Sequence, residues 1–169
     1  MNVPNSITIV RLLIVPVFGY YMYHGQYILA IALFLLAGAT DILDGFIARK
    51  FNMITAWGKI ADPLADKLMQ LTALLALVFN GLVPLLFLVV IFAKELTLMV
   101  GGFVLYKKNI IVSSRWYGKL ATVVLYVAVV GTVIFKSEAV ASVLMGMAVI
   151  SALFSLLMYY VSVKEKIRD

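Results

Sequence analysis

The sequence contains no cysteine, a single histidine and few charged residues. Charged residues make up 13% of the 169 positions, and Asp and Glu together number only 8. The lack of cysteine excludes disulfide bonds and thiolate metal sites, and His24 alone cannot build an imidazole site. Any metal ion bound by this chain must therefore be held by oxygen atoms, which favours Mg²⁺, Mn²⁺ or Ca²⁺.

Apolar residues, by contrast, are in excess. They account for 64% of the chain, which is more than a soluble domain of this length can bury. In lipid the backbone must satisfy its own hydrogen bonds, as helices or as a closed barrel. The apolar runs are continuous, as in Ile28–Gly38 and Leu82–Ala93, and do not alternate as barrel strands do. The sequence therefore predicts an all-α, polytopic membrane protein.

Breaks between the apolar runs divide the chain into a bundle of six predicted transmembrane helices, each close to the length of about 20 residues that a bilayer requires. The predicted helices are Ser6–Tyr23, Tyr27–Arg49, Lys59–Asn80, Val83–Tyr106, Arg115–Phe135 and Ala139–Val163. The connections are too short to form a separate domain. Residues 1–169 are therefore predicted to be one membrane-embedded domain.

The positions of Lys and Arg predict the orientation in the membrane, because basic residues concentrate on the cytoplasmic side. One set of connections and the C-terminal tail carry Arg49, Lys50, Lys59, Lys107, Lys108, Arg115, Lys164, Lys166 and Arg168, whereas the opposite connections carry only Lys136. This asymmetry predicts six spans with both termini in the cytoplasm. The net charge of +6 is then explained by loops that face anionic lipid, and no nucleic-acid partner is expected.

Four aspartates are the main candidates for a functional site. Asp41 and Asp44 share a face near the end of the second predicted helix, and Asp62 and Asp66 share one at the start of the third. A short connection predicts that these helices are antiparallel neighbours, so the four carboxylates converge. In a membrane such a cluster is costly unless cations neutralise it. Its oxygen ligands suit two Mg²⁺ or Mn²⁺ ions, about 3.5–4 Å apart, at the cytoplasmic face.

Small residues lie beside these aspartates and leave room for a bulky ligand against the backbone. The complete pattern is Asp41, Asp44, Gly45, Ala48, Arg49, Gly58, Asp62 and Asp66. It resembles the signature of the CDP-alcohol phosphotransferase family, and no position departs from that signature. The family's six-helix membrane architecture agrees with the number of predicted spans.

The resemblance implies a role for each position. The metal ligands would be Asp41, Asp44, Asp62 and Asp66. The residues around the cytidine diphosphate group would be Asp44, Gly45, Ala48, Arg49 and Gly58. Asp66 would be the catalytic base for an alcohol that attacks CDP-diacylglycerol and releases CMP. A carboxylate beside two cations is a weak base, so the sequence leaves open whether Asp66 takes the proton or only ligates metal.

Basic residues inside the predicted spans suggest which alcohol is used, because a cation within a membrane needs an anion. If the aspartates are committed to metal, a phosphate on the acceptor can supply that anion. The segments Asn2–Arg11 and Gly118–Thr122 also resemble bacterial members of the family that use glycerol 3-phosphate. The acceptor site implied by these features contains Asn5, Thr8, Arg11, Lys94, Arg115, Lys119 and Thr122.

Two alternatives stay open at this point. Family members that use phosphatidylglycerol in cardiolipin synthesis, or an inositol phosphate, resemble the same segments. A cation-coupled transporter is the more distant alternative, since intramembrane acids also line ion pathways. Transporters, however, commonly show internal repeats, and this sequence shows none. The resemblance also implies a homodimer.

Overall fold

The computed structural model describes residues 3–51, 58–107 and 116–168, and within them it contains six α-helices and no strand. The helices are α1 (Val3–Tyr23), α2 (Tyr27–Lys50), α3 (Gly58–Phe79), α4 (Leu85–Lys107), α5 (Trp116–Phe135) and α6 (Glu138–Arg168). The all-α prediction is confirmed. The predicted helix ends lie close to the observed ones, except that α6 continues beyond Val163 to Arg168.

Five helices in the described residues are long and apolar enough to cross a membrane, namely α1, α2, α4, α5 and α6. This confirms an integral membrane protein. α3 has 22 residues, but its first half contains Lys59, Asp62, Asp66 and Lys67, which reduce its hydropathy. Pro63 also lies inside this half and cannot donate the usual helix hydrogen bond. The sixth span therefore remains a prediction.

The first compact unit, Met1–Asn80, contains α1, α2 and α3. α1 packs along both α2 and α3, whereas α2 and α3 contact each other much less. α2 and α3 do contact each other, as the short connection predicts, but α1 forms most of the contacts of each. Small residues permit this packing: a Cβ atom on Gly19 of α1 would lie 3.2 Å from Cγ2 of Thr72 on α3.

The end of this unit distant from the aspartates is fixed by aromatic stacking and by Asn80. The rings of Phe18 and Phe34 stack with centroids 5.5 Å apart. The Asn80 side-chain amide donates to the carbonyl of Met22 at 3.2 Å, and the Tyr27 hydroxyl donates to Asn80 Oδ1 at 3.3 Å. These bonds connect the end of α3 to the turn between α1 and α2, and they hold the unit's helices in a fixed register.

The second compact unit, Gly81–Asp169, contains α4, α5 and α6. α5 and α6 form an antiparallel hairpin in which Gly131 packs against Leu144, and the hydroxyls of Tyr117 and Ser162 lie 3.1 Å apart. α5 ends at Phe135, and the next residue, Lys136, has a left-handed φ of 47° and donates its N–H to the Thr132 carbonyl at 3.1 Å. α4 packs on α6.

Candidate active site

Asp41 of α2 forms an ion pair with Arg11 of α1. Nη1 of Arg11 donates to Oδ1 of Asp41. The Arg11 side chain is only 2% exposed, and a guanidinium buried among apolar helices needs an anion to offset the loss of water. Asp41 supplies that anion while its own side chain stays 42% exposed. The pair thus joins α1 to the first carboxylate of the motif.

Thr8 of α1 makes the corresponding contact with Asp62 of α3. The Thr8 hydroxyl donates to Oδ1 of Asp62, and Thr8 is fully buried. Thr8 and Arg11 are three residues apart and therefore share one face of α1. One face of α1 consequently contacts carboxylates on two different helices, α2 and α3.

Asp66 lies one turn further along α3 than Asp62. Its Oδ2 accepts a hydrogen bond of 2.9 Å from Nε2 of Gln70 and lies 3.6 Å from Nζ of Lys67. Gln70 is 2% exposed, whereas the Lys67 side chain is 34% exposed. The better shielded partner of Asp66 is therefore a neutral amide.

The remaining motif positions are described only in part. Gly45 is half-buried on α2, and Gly58 is buried at the start of α3. The side chains of Asn5, Asp44, Ala48 and Arg49 lie outside the described part of the structure, as does the whole of Arg115. Among the described side chains, no three His, Asp or Glu residues group closely enough to hold a metal ion. Convergence of all four aspartates therefore stays a prediction.

The chemistry of the described donors nevertheless suits a divalent metal ion. Asp41, Asp62 and Asp66 offer only carboxylate oxygen, the ligand that Mg²⁺ and Mn²⁺ prefer. The Asp41 and Asp66 side chains are 42% and 19% exposed, so an ion from solution can reach them. Arg11 and Thr8 already provide positive charge and a hydrogen-bond donor to this group. The donor set thus fits the predicted ion.

In the second unit, Lys94 of α4 has a protein partner. Its Nζ lies 2.7 Å from Oε1 of Glu95, and the two side chains are 8% and 10% exposed. Arg11, in the first unit, likewise has Asp41. Arg11 and Lys94 each have a carboxylate partner within the protein, and their role in acceptor binding stays a prediction. Both pairs satisfy the need for charge compensation without a bound phosphate.

Lys119 and Thr122, also in the second unit, lie near the start of α5. Lys119 is exposed and makes no ion pair with a described residue. The Thr122 hydroxyl donates to the Gly118 carbonyl at 3.3 Å, within its own helix. Their role in acceptor binding stays a prediction that rests on the sequence.

Sequence reasoning missed Gln70, which contacts Asp66. Its signal is a polar residue in an apolar stretch one turn beyond Asp66. Glu95 is adjacent to Lys94 in the sequence, and a pair between them is the alternative to an acceptor role for Lys94; the structure contains that pair. Buried polar groups of this kind are costly unless they are hydrogen-bonded.

Comparison with known proteins identifies the family. The chain matches the family model described as CDP-alcohol phosphatidyltransferase over residues 1–156. The chain belongs to the CDP-alcohol phosphatidyltransferase family. The resemblance found in the aspartate motif is thereby confirmed, and the chain is an enzyme rather than a transporter. Members of this family use divalent metal ions.

Individual relatives agree with this assignment. The chain is 38% identical over 125 residues to a CDP-diacylglycerol–glycerol-3-phosphate 3-phosphatidyltransferase of Aquifex aeolicus, and the match covers 72% of this chain and 70% of the relative. It is 35% identical over 136 residues to the protein of the same name in Bacillus subtilis, with the same coverage. A probable cardiolipin synthase (CMP-forming) of Drosophila melanogaster is 34% identical over 106 residues, covering 62% of this chain and 33% of the relative.

Proposed function

We propose that this enzyme transfers the phosphatidyl group of CDP-diacylglycerol to glycerol 3-phosphate, giving phosphatidylglycerol phosphate and CMP. The observation that carries the choice of acceptor is the similarity to relatives named for that reaction, at 38% and 35% identity over most of this chain. The complete aspartate motif supports the use of a cytidine diphosphate substrate, and Arg11 adds a buried cation beside it.

In the proposed reaction, a hydroxyl oxygen of glycerol 3-phosphate attacks the phosphorus that bears diacylglycerol. A new P–O bond forms, the bond to the CMP phosphate breaks, and CMP leaves with the bonding electrons. We assign Asp66 to accept the hydroxyl proton and Gly45 and Gly58 to leave space for the cytidine diphosphate group. The side chains of Asp44, Ala48 and Arg49 complete that binding site in this proposal.

The proposed ligands of two divalent ions, Mg²⁺ or Mn²⁺, are Asp41, Asp44, Asp62 and Asp66. When bound, such ions neutralise charge on the pyrophosphate oxygens and on the leaving CMP. In the structure Arg11 forms an ion pair with Asp41, and the Thr8 hydroxyl donates a hydrogen bond to Asp62. We also assign Asn5, Thr8, Arg11, Lys94, Arg115, Lys119 and Thr122 to acceptor binding, each to be tested by itself.

A product assay tests this function. Purified protein in liposomes containing CDP-diacylglycerol and Mg²⁺ is supplied separately with glycerol 3-phosphate, inositol phosphate, inositol, serine or phosphatidylglycerol. CMP and lipid products are measured by mass spectrometry. We expect phosphatidylglycerol phosphate with glycerol 3-phosphate alone, and its loss with EDTA or in Asp66→Asn. A loss of three or more orders of magnitude is expected for Asp66→Asn, because proton transfer and ligation both depend on that carboxylate.

The other acceptors decide between the proposal and its rival. The relative named as a probable cardiolipin synthase makes phosphatidylglycerol the second candidate acceptor. Cardiolipin as the product, without phosphatidylglycerol phosphate, would replace the acceptor assignment and keep the family chemistry. Product with inositol phosphate would replace it in the same way.

The remaining predictions concern the whole protein. We propose six spans, with both termini and the active site on the cytoplasmic side, from the asymmetry in Lys and Arg. We also propose that residues 1–169 act as one domain and that the chain forms a homodimer. The mass of the detergent-solubilised enzyme, measured by native mass spectrometry, decides the last point.

A further inference from the structure

Gln70 is a buried polar residue on α3 to which neither the aspartate motif nor the acceptor site assigns a role. It is 2% exposed and follows Asp66 by one helical turn. Placing an amide in such surroundings is unfavourable unless it is hydrogen-bonded. An apolar side chain of similar volume would pack there without that requirement. The position of Gln70 therefore calls for a reason other than packing.

The contact that Gln70 makes supplies that reason. Its Nε2 donates to Oδ2 of Asp66 at 2.9 Å, which is a charge-assisted hydrogen bond to a carboxylate. Gln70 is enclosed by the protein, so its rotamer is fixed by packing. The bond consequently restrains the orientation of the Asp66 carboxylate.

Lys67 also lies near Oδ2 of Asp66, at 3.6 Å, but it differs from Gln70 in two respects. Its side chain is 34% exposed, so it is held less firmly. It is also a cation, and a divalent ion bound to Asp66 would repel it. A neutral amide carries no such charge and can keep its hydrogen bond when the carboxylate binds a cation.

We infer that Gln70 is a positioning residue that holds the Asp66 carboxylate for divalent-metal binding and for catalysis. The inference rests on the proposed assignment of Asp66 as a metal ligand. Hydrogen-bond partners of metal ligands orient them, and losing such a partner commonly costs about 10–100-fold in metal affinity or activity. Gln70 acts through Asp66 and makes no contact with substrate in this proposal.

The test replaces the amide with apolar side chains of similar volume, Gln70→Met and Gln70→Leu. The matched control is Leu74→Met, one turn further along α3 at a fully buried position. Mn²⁺ binding to the solubilised full-length enzyme is measured by electron paramagnetic resonance, together with kcat and KM and with thermal unfolding. Two variants are made so that the role of Gln70 can still be tested if only one of them folds.

We expect Mn²⁺ affinity to fall about tenfold in both Gln70 variants. We also expect kcat at fixed Mg²⁺ to fall by a similar factor, while the KM for CDP-diacylglycerol stays within about twofold because Gln70 does not touch that substrate. Leu74→Met should keep the wild-type Mn²⁺ affinity. A Gln70 variant that loses thermal stability but binds Mn²⁺ like the wild type would show a packing role and overturn the inference. Wild-type enzyme that binds no Mn²⁺ would also overturn it.

The outcome is separable from that of the proposed function. If the wild-type enzyme makes phosphatidylglycerol phosphate while the Gln70 variants bind Mn²⁺ normally, only the role of Gln70 is rejected. If no phosphatidylglycerol phosphate forms but Mn²⁺ binding weakens in the Gln70 variants, the role of Gln70 stands and the acceptor assignment is rejected.

Discussion

At the scale of single residues, four buried polar side chains in the described part of the chain each contact a second polar side chain. Arg11 is paired with Asp41, Thr8 with Asp62, Gln70 with Asp66 and Lys94 with Glu95. An unpaired charge within a membrane protein costs several kcal/mol. Pairing therefore lets the chain keep ionisable groups inside apolar helices, where they are available for binding and catalysis.

The Lys94–Glu95 pair gives a prediction about stability. Glu95→Leu leaves the Lys94 ammonium buried without this partner, and we expect the free energy of unfolding to fall by about 3 kcal/mol. The double variant Lys94→Met/Glu95→Leu removes both charges and should recover most of that loss. Unfolding of each variant by SDS titration in mixed micelles measures the difference.

The same double variant also tests whether Lys94 serves the acceptor. If Lys94 binds the acceptor phosphate, the stable double variant should show a raised KM for glycerol 3-phosphate. A double variant as unstable as Glu95→Leu alone would contradict the pairing argument, since it would mean that removal of both charges gives no relief.

At the scale of secondary-structure elements, helix packing relies on small residues. Gly131 of α5 is the tightest example, because a Cβ there would lie 2.5 Å from Cδ1 of Leu144 on α6. In α6, the would-be Cβ of Gly146 has no atom of the described residues within 4 Å beyond its own stretch of helix. The two glycines occupy helices of the same hairpin but differ in available space, so they form a matched pair.

We predict that Gly131→Leu lowers the free energy of unfolding of the enzyme by about 2 kcal/mol, as overpacking typically does. Gly146→Leu should be neutral or stabilising, because leucine has the higher helix propensity and meets no neighbour. Thermal unfolding in the same detergent compares them. Equal melting temperatures for the two variants would contradict this prediction and show that the Leu144 side chain moves to make room at Gly131.

Much of this architecture could be predicted from the sequence. Helix positions follow from apolar run length and from breaks at glycine and charged residues, and the aspartate motif indicated the family that the comparison confirmed. The contacts of α1 could not be predicted. Lipid-facing and protein-facing residues are both apolar in membrane helices, so periodicity does not reveal which helices touch. Thr8 and Asp62 are also 54 residues apart in sequence, and only the packed unit shows that they meet.

At the scale of the whole molecule, the number of spans determines which connections share a side of the membrane. Within residues 3–51, 58–107 and 116–168, five helices are long and apolar enough to cross a membrane, and α3 is not among them. If α3 crosses the membrane, the exposed Lys50 and Gly81 lie on opposite sides. If it does not cross, they lie on the same side. The predicted cytoplasmic location of Lys107 and of the other basic residues after α3 would then be wrong.

The lack of cysteine makes this testable without removing any native thiol. We predict that single cysteines at Lys50, Lys107 and Lys166 react with an impermeant maleimide only in inverted vesicles. Cysteines at Gln26, Gly81 and Lys136 should react only in right-side-out vesicles. All six positions are exposed. Labelling of Lys50→Cys and Gly81→Cys from the same side would rule out the six-span topology.

The contacts of α1 also have a consequence for how the chain is made. During synthesis α1 and α2 leave the ribosome before α3. α3 carries aspartates, and a carboxylate costs about 2.5–3.5 kcal/mol to insert at the bilayer centre and less near the interface. When α3 reaches the translocon, Arg11 and Thr8 are already present in the lipid. If α3 crosses the membrane as predicted, Thr8 of α1 is then in place to donate to Asp62 as α3 enters. The order of the helices along the chain thus places the donors Arg11 and Thr8 before their acceptors Asp41 and Asp62.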